Sequence, residues 1–330
     1  MKRPGIYFSV ALLFLLCGLC AEQESPAAVM PRHVTIAMVM EVGSLSQMEV
    51  EEAFEYGLPE QLQKTTDVHK IYIAKSDAHI QQSQIGKLKH ADIVIAIGTN
   101  ASKLLSQTQI DTPVLNIFLP RTAYRLHWEG SGKRASAIFL EQPPERYARL
   151  AKSLLPDIKR VSGFMEYDRV VVNMFKTSFA EQNMVFNAYD LSADEFIKNL
   201  KSSLNNTDLL LIPAGHPALT SHRAKWLLYM AYRKHIPVIA FSGQFSDAGA
   251  LASIYSMPAQ IGKQAAELVI KMISTRESST NRLPTTVYPE YFMVNTNKKV
   301  EQAYLHKNVN EIELKNTLGY RNRTDGKEID

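Results

Sequence analysis

Apolar residues along this chain fall into two alternating patterns. Short continuous runs at 33–41 (HVTIAMVME), 92–98 (DIVIAIG), 113–119 (PVLNIFL), 208–213 (DLLLIP) and 236–241 (IPVIAF) read as strands covered on both faces. A strand open to water on one side would alternate apolar and polar residues instead. Between these runs stand segments of helical spacing; 46–63 places Met48, Val50, Ala53, Phe54, Leu58 and Leu62 on one side. The order is strand 33–41, helix 46–63, strand 68–74, helix 78–88, strand 92–98, helix 99–106, strand 113–119. It restarts as helix 145–155, strand 160–165, helix 170–180, strand 184–191, helix 193–204, strand 208–213, helix 217–234 and strand 236–241. A strand at 250–255, a helix at 259–273, a strand at 291–294 and a helix from Lys298 close it. Such alternation predicts an α/β fold, two Rossmann-like lobes with parallel sheets joined by a hinge. The expected division is a first lobe at 32–130, a hinge or crossover at 131–142, and a second lobe at 143–316 that returns late toward the hinge. Residues 317–330 are polar and read as a flexible tail.

The first residues change the picture of where the chain works. Lys2 and Arg3 precede an apolar run at 6–16, then Gly18, Cys20 and Ala21, then a polar stretch. That is the order of a secretory signal, here 1–21, and the run falls short of the ~20 residues that span a bilayer. Cleavage is expected after Cys20 or Ala21, with Ala28 as a later alternative. Cys17 and Cys20 are the only cysteines, so a cleaved chain has no disulfide and no thiolate metal site. Leucines precede both, where a lipoprotein signal wants a small residue, which disfavours a lipid anchor at Cys20. The net charge of +4 drops to about +2 without Lys2 and Arg3, which gives no electrostatic case for nucleic acid.

Three segments carry a family resemblance. Ala91-Asp92-Ile93-Val94-Ile95-Ala96-Ile97-Gly98-Thr99-Asn100-Ala101, Leu154-Leu155-Pro156-Asp157-Ile158-Lys159-Arg160-Val161, and Gly249-Ala250-Leu251-Ala252 with Gly262-Lys263-Gln264-Ala265-Ala266-Glu267-Leu268 follow one another in order. Together they resemble the bacterial ABC-transporter substrate-binding proteins of the tryptophan/tyrosine-type group. The resemblance implies the type I periplasmic-binding-protein architecture, with ligand in a cleft between lobes. The chain departs from that pattern at Met165-Glu166-Tyr167-Asp168-Arg169, Ala214-Gly215-His216 and Ser242-Gly243-Gln244. Amino-acid specificity is therefore not carried over.

In open parallel sheets, ligands sit beyond the carboxyl ends of strands. That rule selects Ser44, Gly98, Thr99, Asn100 and Arg121 in the first lobe, and Tyr167, His216, Ser242 and Gln244 in the second. Gly98 permits close backbone approach, and Thr99 can cap the next helix, where free N–H groups attract an anion. A plain structural cap would use the same residues. Arg121 offers a fork for an anionic group, with Arg125 as a competitor. Tyr167 could stack on a ring, and Trp128 is expected in a connection before Gly130. His216 and His222 are six apart, a poor spacing for a shared helical face, and no metal is expected. On the helix that follows, Trp226, Leu227, Met230 and Ala231 are expected inward, with Arg and Lys outward.

Enzyme signatures are missing: there is no G-x-S-x-G, P-loop, G-x-G-x-x-G or H-E-x-x-H. The function expected is capture of a small polar or aromatic ligand, without cofactor, by an exported protein. Its partner would be an ABC permease. The alternative is an orphan periplasmic sensory protein of the same fold that signals to a membrane partner.

Overall fold

The structure is a computed structural model of the chain, and it describes residues 33–75, 79–165, 168–190, 195–216, 218–274, 286–305 and 308–319. The signal expected at 1–21 and residues 320–330 of the expected tail lie outside them. Elements β1 (Val34–Glu41), α1 (Leu45–Gly57), α2 (Glu60–Gln63), β2 (Thr66–Ile73), α3 (Gln82–His90), β3 (Ile93–Ile97), α4 (Thr99–Gln107), β4 (Val114–Leu119), α5 (Arg121–Trp128) and β5 (Ala135–Phe139) come first. Then follow α6 (Pro144–Leu154), β6 (Arg160–Phe164), α7 (Arg169–Ala180), β7 (Val185–Tyr189), α8 (Phe196–Asn205), β8 (Leu209–Ile212), α9 (Ser221–Arg233), β9 (Val238–Ala240), α10 (Gly243–Asp247) and β10 (Ala252–Tyr255). The chain ends with α11 (Pro258–Ser274), β11 (Met293–Thr296), α12 (Lys298–Tyr304) and α13 (Glu311–Thr317).

Two sheets result, ordered β2-β1-β3-β4-β5 and β11-β10-β9-β8-β6-β7. All neighbours are parallel except β10 and β11. From β7 to β10 the second sheet repeats the strand order of the first, so the two lobes share a topology without a visible sequence repeat. β1 shows why the runs are continuous: Ile36, Met38 and Met40 enter one core, while Ala37 and Val39 enter the core on the other face. Helices α1 and α11 cover the first of those faces, and residues of α4 and α5 pack on the second. In the second sheet, α6 and α7 cover one face and α8 and α9 the other.

Helix α11 follows the second lobe's strands in sequence yet packs against α1 of the first lobe. Glycines make this close approach: a Cβ on Gly262 would lie 2.2 Å from the Val50 carbonyl oxygen, and one on Gly57 would lie 2.9 Å from the Ala266 Cβ. Other elements differ from the sequence expectation, among them α10, where a turn was expected. Residues 135–139, inside the expected crossover, form the edge strand β5, paired with β4. Ala135, Ser136 and Ala137 are too small to give the run a strong apolar signal. Trp128 is not in a loop but ends α5, buried, with its indole N–H donating to Ser102 Oγ at 2.9 Å.

The chain crosses between lobes at 140–143, 256–258 and 288–291. One hydrogen-bond relay ties these crossings. Arg146 Nη1 donates to Gln142 Oε1 at 2.5 Å and to the Pro289 carbonyl at 2.9 Å. Gln142 Nε2 donates to Ser256 Oγ at 2.9 Å, which donates to the Tyr291 carbonyl at 2.6 Å. Burial pulls the Arg146 pKa down to about 10, still far above neutrality, so the guanidinium remains charged over the Phe292 ring. Among the described residues no helix is long and apolar enough to cross a membrane.

The α1–α11 contact gives a direct test. Gly262→Val forces the helices apart and is expected to cost about 1–3 kcal/mol. Thermal unfolding followed by circular dichroism reads this as a lower midpoint; an unchanged midpoint would mean that the contact tolerates separation.

Candidate functional site

Both sheets reverse strand order between their first two paired neighbours, β1 and β3 in one lobe and β6 and β8 in the other, and such switch points open crevices at strand carboxyl ends. A small recess open to solvent, with a cavity volume of about 30 Å³, lies between the lobes next to the first crossing. Arg121, Thr122 and Glu141 line it from the first lobe and the crossing. Met165, Val171, Phe175 and the turn Pro213-Ala214-Gly215 line it from the second. One wall is therefore charged and the other largely apolar.

Glu141 stands two residues after the end of β5. Its two carboxylate oxygens accept the Arg121 backbone N–H at 2.9 and 3.0 Å, so it holds the first turn of α5. Burial at the base of the cleft pushes its pKa up to about 7, against the downward pull of that N–H and of the Arg121 charge. The Arg121 guanidinium donates to Tyr288 OH at 3.2 Å and sits 5.3 and 5.8 Å from the Phe139 and Tyr288 ring centroids. Its Nε is buried with no hydrogen-bond partner. Tyr288, raised by burial, belongs to the third crossing. Gly215 brings the second lobe close: a Cβ there would lie 2.9 Å from Glu141 Oε1 and 3.2 Å from the Pro120 Cβ. Across the cleft, Arg125 Nη1 pairs with Asp168, which also caps α7 by accepting the Val170 and Val171 N–H groups. Arg125 is thus an interlobe tie, while Arg121 lines the pocket.

The remaining sequence candidates lie apart from the pocket wall. Gly98 is the N-cap of α4, with a φ of +89° that favours glycine, and the Gln47 amide sits over it, 2.5 Å from where a Cβ would be. Thr99 is the first helical residue rather than the cap, and is exposed. Asn100 Nδ2 donates to Glu41 Oε1 at 2.9 Å, joining the ends of β3 and β1. Ser44 precedes α1 without a side-chain cap bond, beside the exposed Val42 and Leu45. The His216 ring is 3% exposed: Nδ1 accepts the Ala218 N–H at 3.1 Å and Nε2 meets Asp190 at 3.0 Å, joining the ends of β8 and β7. Ser242 is half-buried before α10 and Gln244 is exposed. Tyr167 lies outside the described residues. Sequence reasoning missed Glu141, Met165, Phe175 and Tyr288. The carboxyl-end rule would have found Glu141 had β5 been visible.

A family profile described as "ABC transporter substrate binding protein" matches residues 33–310. No curated protein matches the chain. Among solved structures, the ABC domain in complex with L-Trp from Streptococcus pneumonia is 17% identical at a TM-score of 0.54, covering 85% of this chain and 98% of that one. A ligand-free, open substrate binding protein with adhesive properties from Clostridium difficile is 16% identical at 0.60, covering 89% and 97%. The periplasmic ribose ABC transporter from Conexibacter woesei is 10% identical at 0.52, covering 83% and 95%. At such identities the likeness concerns the fold, the type I periplasmic-binding-protein architecture.

The raised Glu141 pKa has a measurable consequence. The unfolded carboxyl titrates near 4.5 and the native one near 7, so between these values the native state keeps a proton that the unfolded chain has lost. Its contribution to stability is full below pH 4.5 and is lost as pH rises through 7. The thermal midpoint of the wild type, measured relative to Glu141→Gln, is expected to fall from pH 5 to 7.5. Parallel curves would show that the carboxyl titrates normally.

Proposed function

Since this chain belongs to the ABC transporter substrate-binding protein family, whose members are solute-binding proteins and not enzymes, we propose that it captures a small polar or aromatic ligand in the interlobe cleft and presents it to an ABC permease. The signal at 1–21 supports export to the periplasm. One observation carries the assignment: Arg121 and Glu141 face Met165 and Phe175 across a solvent-open pocket beside the crossings. The guanidinium suits an anionic or carbonyl oxygen of the ligand. Glu141, with its pKa near 7, can accept from an amine or donate to an oxygen. The apolar wall takes the body of the ligand, as small-molecule sites commonly do. The proposed first lobe is 33–139 together with α11, and the second is 144–255 together with β11, α12 and α13, with closure about the crossings; the boundaries 130 and 143 expected from the sequence are moved by β5 and α11. Asn100, Thr99, Ser44 and the turn at Ser242 line the outer carboxyl edges and meet ligand only as the lobes close.

The second reading, a periplasmic sensor of the same fold, is favoured by the turns at 165–169, 214–216 and 242–244, which depart from the family pattern. Ligand capture is common to both.

A thermal-shift screen of amino acids, sugars and small aromatic acids identifies ligands, since binding to the native state raises the melting temperature. For a hit, Arg121→Ala and Glu141→Gln are each expected to weaken affinity at least about tenfold by calorimetry, the cost of one charged hydrogen bond. Unchanged affinity in both variants would place the ligand elsewhere.

A further inference from the structure

Helix α9 presents a face that ligand capture does not use. Its core side is Leu227, Leu228 and Ala231. Trp226 is not inward as the sequence pattern suggests but 44% exposed, with Tyr229 at 51% and Tyr232 at 72%. At 100° per residue, His222, Lys225, Trp226, Tyr229, Tyr232 and Arg233 share an outer arc of about 120°. The arc is ordered. The Trp226 indole N–H donates to His222 Nε2 at 3.2 Å, and the Trp226 and Tyr229 rings meet edge-on at 6.0 Å.

Charge on the α9 arc has one sign. No Asp or Glu occurs from Ser221 to His235. Lys234 reaches Asn205 at the end of α8, 2.8 Å away, and α8 adds exposed Lys198, paired with Glu195, and Lys201. Arg223 is excluded, since its guanidinium lies over Phe196 at 5.2 Å.

Trp and Tyr combine an apolar body with a polar edge, the combination that settles at the headgroup level of a bilayer. Lys and Arg on the same arc complement lipid phosphates. A bilayer can meet the outer arc of one helix without any recess, and an acid-free arc meets no repulsion from an anionic surface. We propose that this face of α9 docks reversibly on an anionic phospholipid surface, with Trp226, Tyr229 and Tyr232 at headgroup depth and Lys225 and Arg233 on phosphates.

The test uses the full chain with vesicles of phosphatidylcholine alone or mixed with phosphatidylglycerol, read by co-sedimentation and tryptophan emission. Trp128 is buried, so an emission change reports Trp226. The expected result is binding to the mixed vesicles with a blue shift, and at least about tenfold weaker binding for Lys225→Glu/Arg233→Glu or in high salt. Trp226→Ala is expected to bind more weakly and to lose the shift. These positions are exposed, so circular dichroism should match the wild type, and the apolar run at 6–16 is common to every variant. Equal binding to phosphatidylcholine vesicles, unchanged binding in the charge-reversed variant, or a blue shift with inorganic phosphate alone would overturn the proposal. Absence of binding to mixed vesicles would also overturn it.

Discussion

Three crossings between two separate sheets need something to hold them in one place, and the relay from Arg146 through Gln142 and Ser256 to the Tyr291 carbonyl does so. It joins Gln142 of the first crossing to Ser256 of the second, and both Ser256 and Arg146 to carbonyls of the third. A buried amide such as Gln142 is costly unless paired, so the relay specifies the arrangement as well as stabilising it. Helix α11 reinforces the third crossing from the first lobe: Gln264 Nε2 donates to the Tyr288 carbonyl at 3.2 Å and its Oε1 accepts the Glu290 N–H at 2.9 Å. Tyr291 OH donates to Glu267 at 2.6 Å. The Gln264 and Glu267 of the family-like segment thus serve the junction between lobes.

The pocket inherits its geometry from this junction. Glu141 is fixed by its place between β5 and Gln142, and Tyr288 by the edge bridge of Val287 to Ile138. Between them they position Arg121, one through its backbone and the other through its guanidinium. The second lobe contributes apolar side chains and a glycine turn. Polar groups are therefore concentrated on one side of the pocket, and apolar surface on the other.

Much of the fold was legible because both sheets are buried on both faces, so strands such as 92–98 and 208–213 stand out as unbroken apolar runs. Two elements were hidden for physical reasons. β5 uses small residues, and α5 (RTAYRLHW) buries only Tyr124 and Trp128, too sparse a pattern to announce a helix. Missing β5 concealed Glu141. The strand-end rule selected Arg121, which lines the recess, and also Gly98 and His216, whose contacts are largely with the protein itself. Trp226 shows the limit of assigning large rings to a core by type alone: Leu227, Leu228 and Ala231 already fill the inward arc of α9.

The central claim is that the lobes close on a ligand about these crossings. With Cys17 and Cys20, the only cysteines, replaced by serine, single cysteines introduced at exposed Lys103 and Lys176 carry spin labels on opposite lobes. Pulsed electron spin resonance then gives the interlobe distance before and after a ligand from the thermal-shift screen is added. A shorter, narrower distance distribution on binding is predicted. A bound ligand that leaves the distribution unchanged would contradict the account.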